Sequence, residues 1–176
     1  MKLHIGCGEK FIPGFIHIDI RKFPHIDYVA QANNLYMFED NSVDLIYSCH
    51  VLEHFKRTQT ISVLQEWHRL LIKGGVLRIA VPDFEKLAEI YISTRKLDLV
   101  LGPIVGGQTY QENIHNMIFD YKYLSECLKK VGFTKVYRYD WRETIHKDYD
   151  DYSQAYIPHM DKINGILISL NLEAVK

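Results

Sequence analysis

The sequence predicts an α/β sandwich with a mostly parallel sheet, and three observations carry that prediction. Short apolar runs alternate with helix-period segments through the middle of the chain. The runs VDLIYSC (43–49) and VLRIAVP (76–82) are apolar enough to be buried on both faces, as strands of a parallel sheet are. Two more strand-like runs come late, and such a closing pair places one antiparallel strand at an edge of the sheet.

The elements follow in order. KLHI (2–5) is a short apolar run stopped by Gly6-Cys7-Gly8, FIHIDI (15–20) alternates and ends on an acid, and HIDYVA (25–30) is a third candidate strand. TISVLQEWHRLLI (60–72) carries Ile61, Leu64, Trp67, Leu70 and Leu71 at helical spacing, with Gly74-Gly75 as its stop. Asp83 caps FEKLAEIYIST (84–94). Residues 97–118 hold Gly102, Pro103, Gly106 and Gly107 and read as a long mobile loop. YKYLSECLKKVGF (121–133) is a helix ended by Gly132, and TKVYRYDW (134–141) and GILISLNLEAV (165–175) are the late strands. Between those two, RETIHKDYDDYSQ is polar and expected to be solvated, with Asp148, Asp150 and Asp151 in it. Only nine residues, Gly6 to Gly14, separate the first two strands. A parallel crossover normally takes a dozen or more, so the first helix must be shortened or absent.

A length of 176 residues suits a single domain with a real core, and 47% hydrophobic with 24% charged residues is ordinary for a globular protein. With 21 basic against 22 acidic side chains the net charge is -1, which argues against a non-specific nucleic-acid binder. No run approaches the ~20 apolar residues of a membrane span. The start MKLHIGCGEKF does not read as a signal peptide. Cys7, Cys49 and Cys127 are odd in number and widely spaced, as reduced thiols of a cytoplasmic protein are.

Gly6-Cys7-Gly8 sits where the first strand ends, a place where glycines let the backbone turn sharply and let a ligand approach. Asp19 ends the second strand, where a carboxylate can accept hydrogen bonds from both hydroxyls of a ribose. The blocks LHIGCG, HIDI, FEDNSVDLIYSCHVLEHF and WHRLLIKGGVLRIAVPDFE, in that order, resemble the class I S-adenosylmethionine-dependent methyltransferases, and more narrowly the short members associated with bacterial surface-glycan biosynthesis. The resemblance covers residues 2–94 and resumes over 113–133. It implies a three-layer, Rossmann-like sandwich with a sheet of about seven strands, and S-adenosyl-L-methionine as cofactor. On that resemblance Gly6, Cys7 and Gly8 lie along the methionine part, Asp19 and Ile20 hold the ribose, Gln31, Asn33 and Asn34 lie near the adenine, and Ser48 and His50 line the far wall. Where the family has a first-strand acid this chain has His4, where it has a third glycine there is Lys10, and the acid near the adenine falls at Gln31 or Asn33. These departures keep a second reading open, a cofactor-binding module that does no chemistry. A nicotinamide dehydrogenase is disfavoured, because Phe11 stands at the last position of Gly-x-Gly-x-x-Gly.

The stretch SCHVLEHF spells H-x-x-E-H with His50, Glu53 and His54, the inverted zinc-protease signature. A metal reading needs all three on one helix and a further ligand from elsewhere. His50 instead follows a strand, so no metal is expected. A hydroxyl nucleophile would benefit from a general base, and His54 and His115 are the catalytic candidates. The partner is a small molecule, a sugar or glycan precursor on the resemblance, with residues 97–120 as a lid or substrate loop. A sheet face lacking its first helix needs cover, from the 97–118 loop or from a second copy of the chain in a homodimer.

Overall fold

Leu3 and Ile5 of the first strand have no exposed surface and belong to the largest cluster of buried apolar side chains. The computed structural model describes all 176 residues. The chain runs β1 (Lys2–Ile5), β2 (Ile16–Asp19), β3 (Tyr28–Val29), β4 (Val43–Cys49), α1 (Thr60–Leu70), β5 (Leu71–Pro82) and α2 (Phe84–Thr94). It continues through α3 (Asp98–Val105), α4 (Tyr121–Val131), β6 (Lys135–Arg138), β7 (Tyr156–Ile157), β8 (Ile166–Leu167) and β9 (Ser169–Val175). Seven strands form one sheet in the order β3-β2-β1-β4-β5-β9-β6, and β7 pairs with β8 alone. The first five strands are parallel to one another. β9 is antiparallel to both β5 and β6, so the antiparallel strand lies one place in from the edge.

The predicted Rossmann-like α/β sandwich is therefore present, with local differences. The helix expected over 60–72 stops at Leu70, because Leu71 turns extended and pairs with Val43. Pairing resumes at Leu45 with Val76, and the residues between loop out through Gly74 at φ 81°. The third strand keeps only Tyr28–Val29. Part of the expected 97–118 loop is helical: α3 forms despite Gly102 and Pro103 because Val100 is buried against Leu87, Ile90 and Ile168. Asp83 caps α2 as expected, its side chain accepting from the Glu85 N–H, and Asp120 does the same for α4 through Tyr123 N–H.

One face of the sheet is closed by α1 and α4. Trp67 is the largest side chain buried there, and its indole N–H donates to the Ala32 carbonyl at 2.7 Å. The other face meets the missing helix. No helical residue lies between β1 and β2; the connection instead tucks Ile12 and Phe15 against Tyr47, Cys49 and Ala80. The remaining cover comes from residues 140–156, which contain the stretch expected to be solvated. His146 and Ser153 have no exposed surface, and Gln154 is buried as well. The Tyr47 hydroxyl donates to Asp151 Oδ2 at 2.5 Å, and Asn171 Nδ2 donates to the Ser153 carbonyl at 2.8 Å. Polarity misled the sequence reading, because Asp151, Ser153 and Gln154 find their hydrogen bonds inside the protein, while His146 packs its ring on Tyr47 with both ring nitrogens unpartnered. The face that argued for a second copy is thus covered by the chain itself.

Under this cover lies a file of rings. His4 stacks on Tyr47 with centroids 5.0 Å apart, Tyr47 lies 4.0 Å from His146, and His17 meets His4 edge-on at 5.7 Å. The register places them together: His4 pairs with His17 on one side and Tyr47 on the other. Burial lowers the His4 pKa to about 3 and that of His146 to about 4, and it lowers that of His17 too. All three are therefore neutral in the folded protein. In the unfolded chain they take a proton near pH 6.5. The folded state refuses those protons, so the stability they carry is complete above pH 6.5 and drains as the pH falls toward 3, by about 1.4 kcal/mol per pH unit for each fully titrating histidine. Urea midpoints should accordingly be lower at pH 5 than at pH 7.5, and His4→Phe should flatten the difference. Groups common to both proteins cancel in that comparison, and an unchanged slope in the variant would clear His4 of the effect.

Candidate functional site

Parallel strands expose their carboxyl ends along one edge of the sheet, and loops leaving that edge enclose a pocket of about 500 Å³. It sits over the ends of β1, β2 and β4. Gly6, one residue past β1, adopts φ 67° and donates its N–H to the Ile18 carbonyl at 2.7 Å. Its bare Cα faces Val51; a Cβ there would come within 2.2 Å of Val51 Cγ2. Asp19 ends β2 with 5% exposure. Its Oδ2 accepts from Gly8 N–H at 2.7 Å and its Oδ1 from Arg21 N–H at 2.8 Å, which ties the glycine turn to the exit of β2. Each oxygen keeps a lone pair for a further donor. Beyond β3, Gln31 and Asn33 border the same pocket, and Asn33 Oδ1 is buried without a partner.

The far wall is built by SCHVLEHF. His50 leaves β4 at φ 54°, and Leu52–His54 form a single 3-10 turn. Glu53 has no exposed surface, and neither carboxylate oxygen has a hydrogen-bond partner. Burial pushes its pKa up to about 8. Burial drives the His50 pKa down to about 3, and it lowers those of His54 and His115 as well. Residues 110–116 close the pocket from above. Asn116 and Met117 donate their N–H groups to the Glu53 carbonyl at 2.8 and 3.1 Å, and Asn116 Nδ2 donates to the His54 carbonyl at 2.8 Å.

Seven of the sequence-predicted residues meet around the pocket: Gly6, Asp19, Ile20, Gln31, Asn33, His50 and His54. Six do not. His4 points sideways into the ring file rather than along β1 toward the crevice, a consequence of strand alternation. Cys7 is buried, its thiol raised to about 12 by burial. Gly8 serves through its N–H to Asp19, Asn34 closes a turn onto the Gln31 carbonyl, and Ser48 is wholly buried in β4. His115 stands behind His54, ring centroids 4.9 Å apart, with Nδ1 on the Pro103 carbonyl at 2.9 Å.

Several wall residues escaped the sequence reading. Arg21, two places past Asp19, lies over the rings of Phe23 at 5.0 Å and Tyr110 at 4.8 Å. Val51 is the contact that makes Gly6 necessary. Glu53 was visible within H-x-x-E-H. Tyr110 and Asn116 reach the pocket only through tertiary contact and leave no local signal.

The methyltransferase-domain family matches residues 13–79. A search of curated proteins finds no match. Among solved structures, a SAM-dependent methyltransferase from Thermotoga maritima is 17% identical, covering 99% of this chain and 81% of its own, with a TM-score of 0.58. One from Archaeoglobus fulgidus is 16% identical, covering 99% and 85%, with a TM-score of 0.58. The 1,6-didemethyltoxoflavin-N1-methyltransferase of Burkholderia thailandensis, solved with S-adenosylhomocysteine, is 14% identical, covering 99% and 70%, with a TM-score of 0.59. At these identities the likeness concerns the fold, and the chain shares the Rossmann-like α/β fold of these structures.

The two positive-φ glycines flanking the first connection offer a matched test. At Gly14, φ 81°, a Cβ meets nothing within 4 Å, so Gly14→Ala should cost backbone strain alone, about 1–2 kcal/mol. Gly6→Ala should cost distinctly more in denaturant unfolding, and adding Val51→Ala should recover part of the loss. Equal costs at the two sites would show that the Val51 contact is unimportant.

Proposed function

We propose that this chain transfers a methyl group from S-adenosyl-L-methionine to a hydroxyl or amine of a small-molecule acceptor, a sugar or glycan precursor. The observation that carries the reading is the Asp19 carboxylate, held at the pocket wall at the end of β2 by backbone N–H groups while each oxygen keeps a lone pair. That arrangement suits a ribose diol. The unpartnered Asn33 Oδ1 suits an amino donor such as that of adenine, and Gly6 borders the same pocket. The cofactor, when bound, supplies an activated methyl on a sulfonium.

What remains for the protein is alignment, exclusion of water and management of one proton. Residues 110–116 serve as the lid, with Tyr110 and Arg21 as its contact to the wall. His54 Nδ1 lies 3.1 Å from the Ile114 carbonyl, which can only accept, so the lone pair of a neutral His54 is at Nε2. With its pKa lowered by burial, His54 is neutral at pH 7 and can take the acceptor's proton at that atom. His115 supports it from behind. Cytoplasmic placement accords with three buried cysteines that form no disulfide, and no helix is long and apolar enough to cross a membrane. The absent first helix supports a second reading, a module that binds the cofactor without turnover.

Calorimetric titration with S-adenosylmethionine, run beside Asp19→Ala, is the test. Binding should weaken by about 1–3 kcal/mol in the variant, the order expected when a charged hydrogen-bonding partner is lost. No binding by the parent protein would remove the methyl-transfer reading. Binding without methyl transfer across a panel of sugars and amines would favour the inactive module.

A further inference from the structure

Glu53 presents a hydrogen-bonding problem that the methyl-transfer reading does not use. Its carboxylate is wholly buried and without partners, which is costly unless something compensates it. Three imidazoles surround it, and their protons can be located. His54 Nδ1 faces the Ile114 carbonyl at 3.1 Å and His115 Nδ1 the Pro103 carbonyl at 2.9 Å. Carbonyls only accept, so both Nδ1 atoms donate and both Nε2 atoms carry lone pairs. For His50 the chain of bonds is longer. Asn171 Nδ2 donates to the Ser153 carbonyl, so its Oδ1 receives the Ser169 hydroxyl hydrogen at 2.9 Å. The Ser169 oxygen is then the acceptor for His50 Nε2 at 3.3 Å. That leaves a lone pair on His50 Nδ1, 3.3 Å from Glu53 Oε1, and His115 Nε2 lies 4.0 Å from the same oxygen. Acceptors converge from several sides, and apart from a proton on Glu53 itself no donor stands among them.

We propose that Glu53, His54 and His115 form a binding site for a divalent transition-metal ion of the zinc type at the pocket wall. One ligating atom from each lies within 4.8 Å of the others. Ligands bonded at about 2.0–2.2 Å stand about 3.3–3.6 Å apart around a tetrahedral ion, so closing the site takes side-chain adjustment of about 1–1.5 Å. Two imidazoles with one carboxylate suit zinc, iron(II) or cobalt; magnesium and calcium prefer all-oxygen sites. Both histidines hold their second ring nitrogen on a backbone carbonyl, the outer support that metal-bound imidazoles use. The bonds from Asn116 and Met117 onto Glu53 and His54 clamp the two contributing segments together. The expectation of no metal rested on His50, Glu53 and His54 needing one helix. This set replaces His50 with His115, a residue that the H-x-x-E-H spelling does not contain.

The ion and the proton compete for one lone pair. With metal bound, His54 Nε2 is a ligand and is not free to take a proton from the methyl acceptor. The metal site does not depend on the methyl-transfer reading, because zinc affinity is measured without S-adenosylmethionine.

Chelator-stripped full-length protein should be titrated with ZnCl2 against a chromophoric competitor, and with CoCl2 for the visible spectrum of the bound ion. The expected result is one zinc per chain, a cobalt spectrum of low coordination number, and affinity lowered at least about tenfold by Glu53→Gln and by His115→Asn. His159→Gln, at an exposed histidine, should leave the affinity unchanged. Should either site variant fail to fold by circular dichroism, the other and the cobalt spectrum of the parent protein carry the decision. Absence of stoichiometric zinc, or zinc affinity indifferent to both site variants, would overturn the proposal and leave Glu53 as a protonated acid donating to His50 Nδ1.

Discussion

The ten residues from Gly6 to Phe15 that join β1 to β2 impose a constraint that shapes most of the molecule. A parallel connection this short has no room for a full crossover helix, so one face of the sheet loses its usual cover. Apolar surface left open there would cost stability, at about 25 cal/mol for each Å² exposed. The connection supplies Ile12 and Phe15, and the segment before β7 supplies the rest through His146, Asp151 and Ser153. Because this second cover is polar, the surface beneath it is polar as well. Tyr47, His4 and Asn171 meet it with rings and hydrogen bonds where a helix would have offered leucines.

At the carboxyl edge the controlling feature is backbone pairing between distant segments. Two N–H groups from Asn116 and Met117 converge on the carbonyl of Glu53, a residue of a single 3-10 turn. Those bonds draw residues 110–116 over the pocket, bring Tyr110 to Arg21, and seat His115 behind His54. The same contacts seal Glu53 from water. Because residues 110–116 are held by backbone bonds to the wall beside them, the cover of the pocket and the surroundings of the buried carboxyl are set together.

Burial also sets the protonation states on which any chemistry here depends. A low-dielectric surrounding disfavours charge, so the histidines at both places are neutral and Glu53 holds its proton more tightly than an exposed carboxyl. Neutral imidazoles keep a lone pair, and a lone pair is what a proton acceptor or a metal ligand requires. In the ring file that property costs acid stability. At the pocket wall it gives His54 and His115 an available nitrogen.

The sequence by itself determined the layer order, the parallel centre of the sheet, the caps at Asp83 and Gly132 and the glycine turn before Asp19. Each of these follows from periodicity, burial pattern or backbone freedom over a few adjacent residues. It also limited the first helix to a turn or nothing, since the connection is too short for more. Part of the pocket was legible for the same reason, since Gly6, Asp19 and His50 lie at strand ends, whereas Gln31 and Asn33 were expected there only from the family resemblance. Only the tertiary structure decided that His4 faces the ring file, that a polar stretch around His146 is buried, that α3 forms across Pro103, and that His115 joins Glu53 and His54. Those outcomes rest on contacts between residues far apart in the chain, such as Val100 with Leu87 or Asn116 with Glu53, whose partners leave no trace in local composition.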